Sequence, residues 1–152
     1  MISRYLKVFA FTLISLILMS VFVIGISEAN GPSMMPTVND SEIIISLKVG
    51  MIKRNDIVSV YLKEEDKHLL KRAVAVPGDR VEIKDGELYI NGRLDNSFKS
   101  KEKYFLWDGT DISLSDDEYY VLGDNRDNSM DSRHYGTIRR DEIIGKVLFH
   151  FY

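Results

Sequence analysis

From Val8 to Ser27 the chain runs for twenty residues without a charge, V-F-A-F-T-L-I-S-L-I-L-M-S-V-F-V-I-G-I-S. A helix rises 1.5 Å per residue, so a run of that length spans roughly the 30 Å of a bilayer's hydrocarbon core. The reading is a transmembrane helix over 8–27, a short tail over 1–7 and a water-exposed remainder over 28–152. Arg4 and Lys7 precede the run and Glu28 follows it. Basic residues stay on the cytoplasmic side, which leaves the N-terminus cytoplasmic and sends the rest of the chain across the cell membrane. A cleavable signal peptide is the rival reading, because Ser27-Glu28-Ala29 has the small-x-small form of a cleavage site. The apolar run exceeds the 7 to 15 residues of such a peptide's core, which favours retention. Thr12, Ser15 and Ser20 within it are read as bonding to their own backbone carbonyls, with packing against a partner helix as the alternative.

Beyond the helix about 125 residues remain, enough for one modest core. Twenty basic and 23 acidic side chains are interspersed, with a net charge of −3. No basic patch suggests nucleic acid as a partner. There is no cysteine, and His68, His134 and His150 are scattered without metal-ligand spacing. They read as solvated or structural.

The exported part is a series of short runs rich in Ile, Val and Tyr and bounded by Gly, Asn, Asp or Pro: 42–47, 56–62, 69–76, 80–83, 87–90, 118–122 and 143–149. Asp85-Gly86 between two such runs predicts a hairpin, and Asn91-Gly92 a further turn. No helical periodicity persists here. The fold class is therefore mainly β, with antiparallel sheets in a sandwich or partly closed barrel. Ser97 to Lys103 is the most loop-like stretch.

Three segments could carry chemistry. In G-P-S-M-M-P-T, Gly31 to Thr37, prolines on both sides stiffen the loop that holds Ser33; a plain turn is the alternative. In L-L-K-R-A-V-A-V-P-G-D, Leu69 to Asp79, strand alternation puts Lys71 on one face with Leu69, Ala73 and Ala75. Apolar neighbours lower an amine's pKa and suit a lysine acting as a base. A snorkelling surface lysine is the alternative. The third is Y-Y-V-L-G-D-N-R-D-N-S-M-D-S-R-H-Y-G, Tyr119 to Gly136, a strand that runs into a loop of Asp, Asn, Arg and Ser able to brace itself by Asx-turns and Asp–Arg pairs. It could equally be a solvated turn, and the spacing of a calcium loop is absent.

In order and spacing these segments resemble the boxes of the bacterial type I signal peptidases. Ser33-Met34-x-Pro36-Thr37 resembles the nucleophile box and Lys71-Arg72 with Pro77-Gly78-Asp79 the general-base box. Gly123-Asp124-Asn125-Arg126 with Ser129-x-Asp131-Ser132-Arg133 resembles the final box. Lys53 to Val58 and Gly145-Lys146-Val147 also look familial, so the likeness covers essentially the whole chain.

The resemblance implies a membrane-bound serine endopeptidase that removes signal peptides from exported preproteins. Its catalytic residues would be Ser33 as nucleophile and Lys71 as base, with the Ser33 backbone N–H meeting the oxyanion. It implies a signal-peptidase-like antiparallel fold behind one transmembrane helix, and no cofactor or metal. Ser129 would orient the lysine ammonium, while Asp131, Arg133 and Asp124 would form the supporting network. Signal peptides of secreted preproteins, the lipid bilayer and the secretion machinery are the implied partners. Gly31 stands where some members have a serine that gives a second oxyanion donor. Mitochondrial inner-membrane peptidases share the G-P-S-M-x-P-T form, a self-cleaving repressor-type protease shares the Ser-Lys chemistry, and a non-catalytic membrane-tethered β adaptor is the rival from another class.

Overall fold

The structure, a computed structural model, describes residues 2–98 and 104–152, so that most of the predicted loop at 97–103 lies outside the described residues. Helix α1 spans Ile2–Val23, and within it Thr12 Oγ1 donates to the carbonyls of Val8 and Phe9 at 3.1 and 2.9 Å. Among the described residues, which leave out the side chains of 16–21, no helix is long and apolar enough to cross a membrane.

The helix stops four residues short of Ser27, where the sequence reading ended it. Strand β1 (Ile24–Glu28) follows at once and pairs antiparallel with β2 (Ile43–Leu47), in register from Ile24↔Leu47 to Glu28↔Ile43. Val23 O accepts the Lys48 amide at 2.8 Å and closes the junction. Ile24, Ile26 and their small partners Gly25 and Ser27 alternate with period two, but within an unbroken apolar run that change of period is hard to separate from helix.

The remaining strands are β3 (Ile57–Leu62), β4 (Lys67–Ala75), β5 (Arg80–Lys84), β6 (Glu87–Ile90), β7 (Arg93–Leu94), β8 (Asp111–Ser113), β9 (Glu118–Leu122), β10 (Ile138–Arg139) and β11 (Ile143–Phe151). They form a seven-stranded sheet, β1-β2-β11-β3-β4-β9-β10, and a four-stranded sheet, β7-β6-β5-β8, every pairing antiparallel. The mainly antiparallel β expectation holds. Both predicted turns adopt left-handed backbone at their two central residues, with φ of 54° and 69° at Asp85 and Gly86 and 53° and 72° at Asn91 and Gly92. That is the conformation a tight hairpin's right-handed twist requires.

Three apolar clusters hold the sheets. Val74, Ala75, Tyr120 and Leu122 of the large sheet pack on Val81, Ile83 and Leu88 of the small one. Val58, Val60, Ala73, Val121 and Ile138 make a second cluster, and Ala29, Met34, Val38 and Ile44 a third. The pairing of β4 with β9 slips between Ala73↔Val121 and Ala75↔Tyr120. Ala73 and Ala75 therefore do not share a face as strict alternation predicted; they enter different clusters, because a bulge inserts one extra residue and reverses the alternation beyond it.

In a flat sheet β1 and β4, four strand spacings apart, would be about 19 Å from each other. Both instead line one cleft of about 580 Å³, with Ile44 and Ser46 of β2, Ile144 of β11 and Ser59 and Val60 of β3 as its floor. The sheet has curled until its two flanks face each other. β1 pairs only with β2, and Lys67–Lys71 of β4 only with β3, so both flanks carry a free backbone edge among the described residues.

Candidate active site

Ser33 lies on a single 3₁₀ turn, Pro32–Met34, reached through Gly31 at φ 83°. A left-handed φ at that point favours glycine and turns the chain from Ala29 into the loop. Met34, 2% exposed, anchors the turn in the third cluster. Asp40 Oδ1 accepts the Gly31 amide at 2.6 Å, so that amide is engaged. On the other side Ser33 O accepts the Asn125 amide at 3.0 Å and Pro32 O accepts Asn125 Nδ2 at 3.1 Å. The sequence placed Asn125 in the final box but gave it no role; its place in a loop crowded with short polar side chains was the signal available.

Lys71 projects from β4 and is 3% exposed. Its Nζ stands 2.8 Å from Ser33 Oγ and 2.9 Å from Leu70 O. Burial lowers the amine from an ordinary 10.5 to about 8; the negative charges of Asp131 and Asp124 work against the shift, and the Arg133 cation adds to it. The snorkelling alternative does not apply to this lysine.

The loop after β9 organises the surroundings. Asp131, fully buried, accepts Arg133 Nε and Nη2 at 2.8 Å each and the Gly123 amide at 3.0 Å. Arginine and amide bonds hold its carboxyl below the ordinary carboxylate range against the opposing effect of burial. Asp131 also caps α2 (Ser132–Tyr135), while Ser132 Oγ accepts the Val121 amide at 2.9 Å. Asp124 takes a two-pronged grip from Arg72, Nε at 2.7 Å and Nη2 at 2.6 Å. Arg72 points away from Lys71, as alternation predicts, and its third nitrogen donates to Asn55 O at 2.7 Å.

The expected bond between Ser129 and the lysine is not made. The amine's hydrogen bonds go to Ser33 Oγ and Leu70 O; the buried Ser129 Oγ meets no partner in good hydrogen-bond geometry among the described residues, but it is near enough to Asp131 to help hold that carboxyl down. Ser129 is pressed against Gly123. A Cβ at 123 would overlap Ser129 Oγ and stand 2.5 Å from Ser33 O, so only glycine lets these two strands of the site close up. The three histidines lie elsewhere: His68 lines the cleft, His134 meets the Trp107 ring edge-on at 5.2 Å, and His150 Nδ1 lies 2.6 Å from Glu42 Oε2.

A hydroxyl within reach of a buried amine of lowered pKa is an arrangement suited to acyl transfer without histidine: the amine's neutral form can accept the hydroxyl proton. The antiparallel fold and the serine at this site fit the class of serine hydrolases. The chain belongs to the signal peptidase family, peptidase S26, whose profile matches residues 2–152. It is 34% identical to signal peptidase I S of Bacillus subtilis (strain 168) over 166 aligned residues, covering 99% of this chain and 89% of that one. It is 32% identical to signal peptidase IB of Staphylococcus aureus (strain Mu50), covering 94% and 85%. A crystal structure of a signal peptidase I from Enterococcus faecalis V583 superposes with a TM-score of 0.51 at 27% identity, covering 66% of this chain and 99% of that one. Near-full-length membership carries the activity with it, that of a type I signal peptidase and serine endopeptidase. A non-catalytic adaptor is not favoured.

Proposed function

We propose that Ser33 and Lys71 form the catalytic dyad, and that the cleft between β1 and β4 holds the signal peptide as an added strand. The observation that carries the dyad is the 2.8 Å approach of Ser33 Oγ to an amine 3% exposed. Leu70 O accepts one amine proton and turns the lone pair of the neutral form toward the hydroxyl. Ser33 Oγ attacks the carbonyl of the residue before the cut as its proton passes to Lys71 Nζ. The oxyanion is met by the Ser33 amide, since the Gly31 amide is already committed to Asp40. Collapse of the adduct expels the new N-terminal amine, which takes the proton from Lys71. Water then attacks the ester with Lys71 again as base, releasing the signal peptide's carboxylate and restoring Ser33. Asp131, Arg133 and Asp124 tune the amine's charge, and Ser129 acts on it through Asp131.

An extended peptide between the free edges of β1 and β4 would satisfy backbone groups on both sides, the usual logic of strand addition. Ala29, Asn30 and Leu70 line the cleft and lead directly into Ser33 and Lys71, so the scissile bond would arrive at the dyad. We assign α1 as the membrane anchor, with the N-terminus cytoplasmic and the sheets outside. The uncharged run and the flanking Arg4 and Lys7 support this. Ser33 is ten residues beyond Val23, which keeps the reaction near the lipid surface, where preproteins emerge from the secretion machinery.

The test is cleavage of a preprotein with an Ala-x-Ala site by detergent-solubilised protein. Ser33→Ala and Lys71→Ala should each abolish it while the fold is retained. Cleavage that survives Lys71→Ala would remove the lysine from the mechanism.

A further inference from the structure

β2 reads I-I-I-S-L, and its one polar side chain, Ser46, is 4% exposed yet lies on the floor of the cleft. A branched apolar residue is the ordinary choice for such a position. Among the described residues Ser46 Oγ has only a 3.4 Å contact with Gly25 O, beyond the range of a good O–H···O bond. A hydroxyl carries one donor and two acceptor sites, so most of this one's capacity is unused in a place where unmet polar groups are costly.

Glycines flank its hydroxyl on both neighbouring strands, with the Lys48 side chain alongside Gly25. Gly25 lies opposite Ser46 on β1, and a Cβ there would stand 2.7 Å from Ser46 Oγ. On β11, a Cβ at Gly145 would stand 3.2 Å from the same oxygen and 3.0 Å from Leu47 O. Gly145 in turn lies opposite Ser59, a second hydroxyl on the cleft floor. Two glycines thus open a compartment whose base is polar, while the part of the cleft nearer the dyad is bounded by Ala29 and Leu70.

We propose that this compartment is a specificity site for a hydrogen-bonding, uncharged side chain of the signal peptide, Ser, Thr, Asn or Gln, with Ser46 as the residue that selects it. The inference rests on the cleft's being the substrate groove. Gly25 is four residues from Ala29 along β1, about 13 Å at strand rise. The selected side chain therefore lies about four residues further from the cut than the one beside Ala29. It lies upstream of the cut, because the Ile24 end of the cleft adjoins α1, and a signal peptide's apolar core approaches from the membrane side.

The experiment uses the full chain in detergent micelles and peptides with an Ala-x-Ala site. One residue is varied among Ala, Leu and Gln at each position from about four to eight before the cut, and kcat and KM are measured separately. At one position Gln should be preferred over Leu by roughly fivefold, the equivalent of one hydrogen bond at about 1 kcal/mol, and the preference should reside in KM. Ser46→Ala should bring that ratio near one at that position alone, and Ser46→Thr should restore it. Absence of any such position, or a preference that survives Ser46→Ala in a variant with unaltered melting, overturns the inference. A photoreactive residue placed next to the cut separates the two levels. Labelling of β1 or β4 without a Ser46 effect removes only the specificity site, whereas labelling elsewhere removes the groove and the site with it.

Discussion

Replacing Lys71 with methionine should abolish cleavage and at the same time make the protein more stable at neutral pH. The amine's pKa is about 8 in the fold against an ordinary 10.5, a difference of about 2.5. At 1.36 kcal/mol per unit, holding this lysine in its protonated form costs about 3 kcal/mol of stability. Lys71 is 3% exposed, so solvent screening removes little of that figure. Methionine fills a similar volume but forfeits the bonds to Ser33 Oγ and Leu70 O, each worth about 1 kcal/mol, which leaves a net gain on the order of 1–2 kcal/mol. The gain has a pH signature. Between about 8 and 10.5 the unfolded lysine holds a proton that the folded one has released, so wild-type stability climbs with pH through that window; below about 8 the whole cost is present. Denaturant unfolding at pH 7 and pH 10 should therefore show a methionine advantage that shrinks at the higher pH. The wild-type rate, which needs the neutral amine, should rise about tenfold per pH unit below 8 and level off above it. A methionine variant less stable than wild type at pH 7, or a rate already level at pH 6, would refute the reasoning.

Gly123→Ala should reduce kcat on the order of a hundredfold with little change in melting, because the new methyl displaces Ser33 or Ser129; adding Ser129→Gly should recover part of the loss in the same peptide assay. Asp124→Ala leaves the mostly buried Arg72 without its two-pronged partner, and should lower unfolding free energy by about 3–5 kcal/mol as read from a urea transition. Glu118 is held down to about 2 from 4.5, first by the Ser115 hydroxyl, then by the Ser115 amide and the Thr137 hydroxyl. The stability it contributes is complete above pH 4.5 and is lost as pH falls toward 2, so Glu118→Gln should flatten the acid limb of denaturation.

Much of this was legible because the chemistry is local in sequence. Prolines beside Ser33 and the Asp-Gly and Asn-Gly pairs act on backbone torsions within two or three residues. The positions of β2, β3, β5, β6 and β9 followed from apolar runs that match single strands. What escaped reading depended on partners far along the chain. β1 is defined by β2, which pairs with it from fifteen positions on at its closest register, and the period-two alternation within Ile24–Glu28 is submerged in the apolar run before it. β7, β8 and β10, two or three residues long, exist only as additions to neighbouring strands. The bulge in β4 is fixed by Tyr120 and Val121 of β9, so alternation alone misplaced Ala75. Gly123 and Asn125 stood in a segment already marked for its polar residues, but the reason for them is the contact with Ser33, ninety residues earlier for Gly123.

The curl of the large sheet also bears on which proteins are at risk. If the proposed groove holds substrate, the edges of β1 and β4 that are free among the described residues require a visitor to expose both of its own backbone edges along several consecutive residues. Strands and helices of finished proteins have at least one of those edges occupied. An exported protein that has completed folding would thus be refused whatever its sequence, and a short flexible segment accepted. The enzyme could work continuously among mature proteins without a lid, an inhibitor or a zymogen, because chain order itself would act as the lock.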